Sequence, residues 1–83
     1  MRLYKSRDPA KMNQYNIMLK LAASKRSPLY NRDGSHNVGA LHRSTFWKGY
    51  EYGFRHTNLI PETSSIAYCI FRAGMDFKTL EGK

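Results

Sequence analysis

The chain has 83 residues, with fourteen Lys and Arg against six Asp and Glu and a formal net charge of +8. This length supports one domain with a modest core. The single cysteine, Cys69, excludes an internal disulfide, and no apolar run approaches the roughly 20 residues of a membrane-spanning helix. The positive excess favours phosphate-rich or acidic partners and speeds encounter with them.

The N-terminal stretch "MRLYKSRDPAK" is basic and has no apolar run of signal type behind it. Residues 1–7 are expected to form a flexible basic arm, and the setting is expected to be cytoplasmic. A first helix is predicted over "SRDPAKMNQYNIMLKLAASK". Asp8 can cap the orphan amides and Pro9 suits the first helical position. Met12, Tyr15, Leu19 and Ala22 recur at helical spacing, Met18 widens the stripe, and Lys11, Asn13, Asn16 and Lys20 fall away from it. Pro28 disfavours helix at Ser27, so the helix should stop near Lys25.

"SPLYNRDGSHNVG", Ser27 to Gly39, reads as a long loop. Asp33-Gly34 is a turn dipeptide, and Asn31, Ser35, Asn37 and Gly39 add turn chemistry. The apolar alternation is too thin for a hairpin. Leu29 and Tyr30 are expected to anchor the loop on the core.

A second helix is predicted from about Leu41 to Arg55, carrying the aromatic-rich "FWKGYEYGF". Trp47, Tyr50 and Phe54 recur on one side beside Phe46, with Lys48, Glu51, Tyr52 and Arg55 opposite. Gly49 and Gly53 each cost about 1 kcal/mol against alanine in a helix interior. Four apart, they share a face and leave a notch that another backbone or a ring can enter. A third helix follows "NLIPETSS", opened at Pro61-Glu62 or capped by Thr63 or Ser64. Its stripe is Ile66, Ile70, Ala73 and Phe77. The tail over residues 78–83 is expected to fray. The whole is an all-α fold: a small three-helix domain with a long loop after the first helix.

Shifted by 25 residues, "FWKGYEY" lies over "FRAGMDF", and Leu41 falls over Ile66. Two short helices built on one template can pack in a related way, although one duplication cannot make a solenoid.

The run "AASKRSPLYN", then a short loop, then "RSTFWKGYEYG" resembles the ribosome modulation factor family. Ala22, Ala23, Ser24 and Lys25 match the end of that family's first helix. Pro28 and Tyr30 match its loop, with Leu29 intruding, and Arg43, Trp47 and Tyr50 match its second helix. The glycine stands at Gly49 instead of three residues after Trp47. The resemblance covers about residues 14 to 54, and the third helix is additional. It implies a small helical protein that contacts ribosomal RNA and restrains translation. Small phage proteins also carry similar Trp-Gly helices.

The cations suit phosphate contact more than base readout. Lys20, Lys25, Arg26 and Arg32 run from the first helix into the loop, and Arg43, Lys48 and Arg55 lie along the second helix. No helix presents Arg, Asn and Gln at groove-reading positions. Base stacking falls to Tyr30 and Tyr52, with Tyr4 in the arm as a further candidate. Phe46, Trp47, Tyr50, Phe54, Ile66, Ile70 and Phe77 have the spacing of buried helix faces and are expected to be core. His36, His42, His56 and Cys69 lack the close ligand pairs of a structural zinc site. The six acids are scattered, and no phosphate loop, nucleophile elbow or Cys–His signature is present. An enzyme, a cofactor and a metal are therefore not expected.

Two functions remain from the sequence. One is docking on ribosomal or other structured RNA, inhibiting translation by occupancy. The other is a phage-type inhibitor that binds an acidic or nucleic-acid-binding surface of a host protein machine, with Trp47, Tyr30 or Tyr52 as its anchor. Duplex DNA binding without base specificity is a weaker third option.

Overall fold

Asp8 opens the first helix. Its Oδ1 accepts from the Ala10 amide at 2.9 Å and its carbonyl from the Met12 amide at 3.1 Å. With Pro9 pre-set for helical φ, α1 runs Pro9–Ala23. The computed structural model describes residues 3–23, 33, 35 and 39–82. The expected anchoring by Leu29 and Tyr30 lies outside these residues. Within the connection to the second helix, Asp33 Oδ1 accepts from both the amide (2.9 Å) and the hydroxyl (2.6 Å) of Ser35. These bonds, led by the hydroxyl, hold the Asp33 carboxyl below its ordinary range. They give the local turn chemistry expected of an Asp side chain at residue 33.

The second helix, α2, is Ala40–Tyr52. It stops three residues short of the expected Arg55 because Gly53 adopts φ +57°, which an α-helix interior cannot hold. The Gly53 amide still makes the last α-helical bond, to the Gly49 carbonyl, and a 3₁₀ turn then covers Gly53–Arg55. This break displaces Phe54 from the apolar stripe. Expected in the core, Phe54 is 48% exposed. A second 3₁₀ turn, Thr57–Leu59, leads to α3, Ile66–Glu81.

The cap of α3 is Ser65, one residue beyond the expected candidates. Its hydroxyl accepts from the Tyr68 amide at 3.2 Å and donates to the Glu62 carbonyl at 2.7 Å. Ile66, now the first helical residue, lies outside the packed span and is 38% exposed, against the expectation of burial. The helix continues through the residues expected to fray, Lys78 to Glu81, and the Gly82 amide closes it on the Lys78 carbonyl at 3.1 Å.

Three α-helices thus make the fold, with no strand among the described residues. Both α1 and α2 pack on α3. A helix covered on two sides must be apolar almost all round, and Cys69, Ile70, Phe71, Ala73, Gly74, Met75 and Asp76 are all buried. Tyr15 and Met18 of α1 and Phe46 of α2 complete the core, with Met12, Leu19, Ala22, Trp47 and Phe77 packed around it. Burial pushes the Cys69 thiol pKa up, and its Sγ donates to the Ile66 carbonyl. Cys69 is therefore a small core residue, protonated and inert.

The internal echo becomes a helix crossing. A Cβ on Gly49 would overlap the Phe71 carbonyl oxygen and lie 2.8 Å from its carbon. One on Gly74 would overlap the Phe46 carbonyl oxygen and lie 2.8 Å from the Tyr50 nitrogen. Each Phe-x-x-Gly unit thus gives its glycine to the backbone of the other unit's phenylalanine. The contact is reciprocal, as in an isologous interface. Gly49 supplies the expected notch, but its partner across the crossing is Gly74, and Gly53 serves to end the helix.

Candidate functional site

Charge is unevenly placed along the chain. Ten of the fourteen Lys and Arg, and only two of the six acids, fall in residues 1–50. That stretch carries the entire net +8, and residues 51–83, with four cations and four acids, are neutral. In structural terms the central helix α3 is an electrically balanced scaffold. The excess belongs to the arm, α1, the connection after it and most of α2.

Lys20 is exposed in the last turn of α1, where a cation complements the helix dipole, on a solvent face shared with Asn13, Asn16 and Ile17. Lys48 is exposed on α2 with Leu41, Ser44 and Glu51. Arg43 is half-buried, and its amide donates to the Gly39 carbonyl at 3.0 Å in the first turn of α2. The Arg55 side chain turns back on the end of α2, where Nε donates to the Tyr52 carbonyl at 3.0 Å and Nη2 to that of Glu51. This guanidinium therefore caps a helix C-terminus while remaining exposed. Tyr52 is half-buried with its ring edge-on to His56, centroids 5.0 Å apart. Lys48, Glu51 and Tyr52 lie in the C-terminal part of α2, Arg55 folds back onto the end of that helix, and Lys20 is on a separate helix. Lys25, Arg26, Tyr30 and Arg32 lie outside the described residues.

A second constellation centres on Asp76, which the sequence pattern does not single out. This carboxylate is fully buried. Its Oδ2 accepts from the Tyr15 hydroxyl at 2.6 Å and from the Tyr4 amide at 2.8 Å, and Oδ1 lies 3.8 Å from Arg72 Nη2. Within the stretch expected to form a flexible arm, the Tyr4 amide is bonded to Asp76 of α3. Burial first, and then the bond to Asp76, push the Tyr15 phenol well above the ordinary tyrosine range. Arg72 donates from Nη1 to the Tyr68 hydroxyl at 3.3 Å and lies between two rings, 5.9 Å from the Tyr4 centroid and 5.6 Å from that of Phe54. Above this floor opens a cleft of ≈ 740 Å³ lined by Leu3, Tyr4, Lys5, Thr63, Tyr68 and Arg72. One sequence signal points toward it. Tyr15 stands on the apolar stripe of α1, and a buried tyrosine hydroxyl needs a polar partner.

Among the described residues, no three His, Cys, Asp or Glu side chains converge, and no helix is long and apolar enough to cross a membrane. Comparisons with protein-family models, with curated proteins and with solved structures return no match.

Proposed function

We propose that the chain is a small RNA-binding protein that docks on structured RNA, foremost ribosomal RNA, and inhibits translation by occupying its site. The observation that carries this reading is the confinement of the whole +8 to residues 1–50, beside a neutral helical scaffold. Lys20, Lys25, Arg26, Arg32, Arg43 and Lys48 supply backbone neutralisation, and Tyr30 and Tyr52 supply stacking. Arg55, committed to the end of α2, adds charge without a free fork. The resemblance of residues 14 to 54 to ribosome modulation factors supports the ribosomal target. The test is affinity for ribosomal RNA against salt. Four to six phosphate contacts predict a log–log slope of about −3 to −5, together with inhibition of translation in a reconstituted system. A flat slope removes the proposal.

One observation favours a second reading. Phe54, 48% exposed beside the Arg55 cation, offers an aromatic anchor next to a positive charge. Such a pair fits an acidic host-protein surface with an apolar socket, as a phage-type inhibitor requires. Recovery of one stoichiometric protein partner after nuclease treatment selects this reading, and RNA-dependent recovery selects the first.

A further inference from the structure

The cleft over Arg72 has a chemistry of its own. Among the described residues its lining holds two cations, Lys5 and Arg72, two tyrosines, a threonine and a leucine, and no carboxylate. Asp76 is buried beneath, with Oδ2 accepting from Tyr15 and Tyr4 and Oδ1 facing Arg72. The Arg72 guanidinium is fixed before any ligand arrives, by Asp76, by the Tyr68 hydroxyl and by the rings of Tyr4 and Phe54. A pre-oriented arginine loses little entropy on meeting an anion, and its planar fork suits phosphate. Lys5 is exposed at the cleft, and the Tyr68 and Thr63 hydroxyls add neutral donors. The Tyr4 and Tyr68 rings, 6.0 Å apart and inclined at 62°, form an aromatic corner beside the half-exposed Leu3. A volume of ≈ 740 Å³ falls in the range of sites for small organic ligands and far exceeds what a bare phosphate fills.

The geometry points to a binding site for a phosphorylated nucleoside, with phosphate on Lys5 and Arg72 and the base against Tyr4 and Tyr68. The ligand is either a free mononucleotide or the 5′-phosphorylated end of an RNA chain, since both present the same group. This site goes beyond the RNA-docking surface: it uses none of the cations assigned there, and it is formed by the arm, the turn before α3 and α3 itself.

The experiment is a titration of the isotope-labelled full chain, followed by amide resonances. The titrants are adenosine monophosphate, adenosine, inorganic phosphate, and one short RNA in 5′-phosphorylated and 5′-hydroxyl forms. Saturable shifts with adenosine monophosphate are expected at Tyr4, Lys5, Thr63, Tyr68 and Arg72, with adenosine and phosphate each at least about tenfold weaker. The Lys5→Gln variant, altered only at an exposed arm position, is expected to bind about tenfold more weakly. Arg72→Lys keeps the charge, loses the fork and is expected to weaken binding as well. A Lys20→Gln, Lys48→Gln double variant leaves adenosine monophosphate binding unchanged, so failure of the RNA-docking reading does not touch it. Equal affinity for the mononucleotide and the 5′-phosphorylated RNA assigns the cleft to free nucleotides. Tighter binding of that RNA than of both the mononucleotide and its 5′-hydroxyl form assigns it to chain ends. Absence of saturable shifts with both phosphorylated ligands overturns the proposal. So does adenosine binding as tightly as its monophosphate, or unchanged affinity in a folded Lys5→Gln protein.

Discussion

A carboxylate taken out of water has to recover its hydration from fixed partners. Asp76 does so at Oδ2, with the Tyr15 hydroxyl at 2.6 Å and the Tyr4 amide at 2.8 Å, while Oδ1 has no hydrogen bond among the described residues and faces the Arg72 guanidinium at 3.8 Å as an ion pair. One side chain thereby joins three parts of the molecule: the arm, α1 and α3. Tyr15→Phe keeps the ring in the core and deletes one charge-assisted bond, so a loss of about 1.5–3 kcal/mol is expected in urea denaturation. The same residue sets an alkaline limit. The Tyr15 phenol is raised in the folded state, so its contribution is fully present below pH ~10, where the unfolded chain keeps its tyrosine protons. Above that pH the unfolded chain releases the proton and the folded one retains it. Stability then falls as pH rises toward the folded value. Tyr50, raised by its bond to Glu81, moves in the same direction, so part of the fall persists in the variant. Midpoints compared at about pH 8 and about pH 11 should converge between wild type and Tyr15→Phe. A constant gap between the two proteins would contradict the assignment.

At the scale of elements, the fold turns on the crossing of α2 and α3. Gly49 and Gly74 let each helix rest on the other's backbone, and a methyl at either position meets a carbonyl oxygen that has no rotamer by which to retreat. Alanine is the better helix former by about 1 kcal/mol, so propensity alone predicts that Gly49→Ala and Gly74→Ala stabilise. Steric overlap between backbones outweighs that gain, and each is expected to destabilise by about 1–3 kcal/mol or more. The pair should be less than additive, because helices parted for one methyl have room for the second. Stabilisation by either single variant would mean that the helices do not cross here. Much of this element scale is legible in the sequence. The cap of α1 follows from Asp8-Pro9, the stripes of α1 and α2 from the spacing of Tyr15, Met18 and Phe46, and the Phe-x-x-Gly echo marks both glycines. Which glycines face each other is a tertiary fact, as is the positive φ that ends α2 at Gly53 and turns Phe54 outward. Asp76 was illegible for a related reason. In the echo it aligns with Glu51, yet Glu51 is exposed while α1 and the arm cover Asp76. Equivalent residues acquired opposite environments because only one of the two helices is central.

For the molecule as a whole, sign and position of charge make different predictions. If binding to a polyanion depended on net charge alone, removing any exposed cation would have the same effect. Lys20 and Lys48 belong to the half that carries the excess, whereas Lys78 belongs to the neutral half and lies 5.8 Å over the Tyr50 ring. Oriented docking through residues 1–50 therefore predicts unequal effects. Each of Lys20→Gln and Lys48→Gln should make the log–log slope of RNA affinity against salt shallower by about 0.7–0.9, the contribution of one phosphate contact, and weaken all structured RNAs alike. Lys78→Gln should leave the slope unchanged and produce only the small shift expected from screened, long-range attraction. The three variants alter exposed side chains, so binding differences will not be confounded by folding, and thermal melts of each would check this. Three equal slopes would show that the protein meets RNA in no preferred orientation, and the proposed docking face would have to be abandoned.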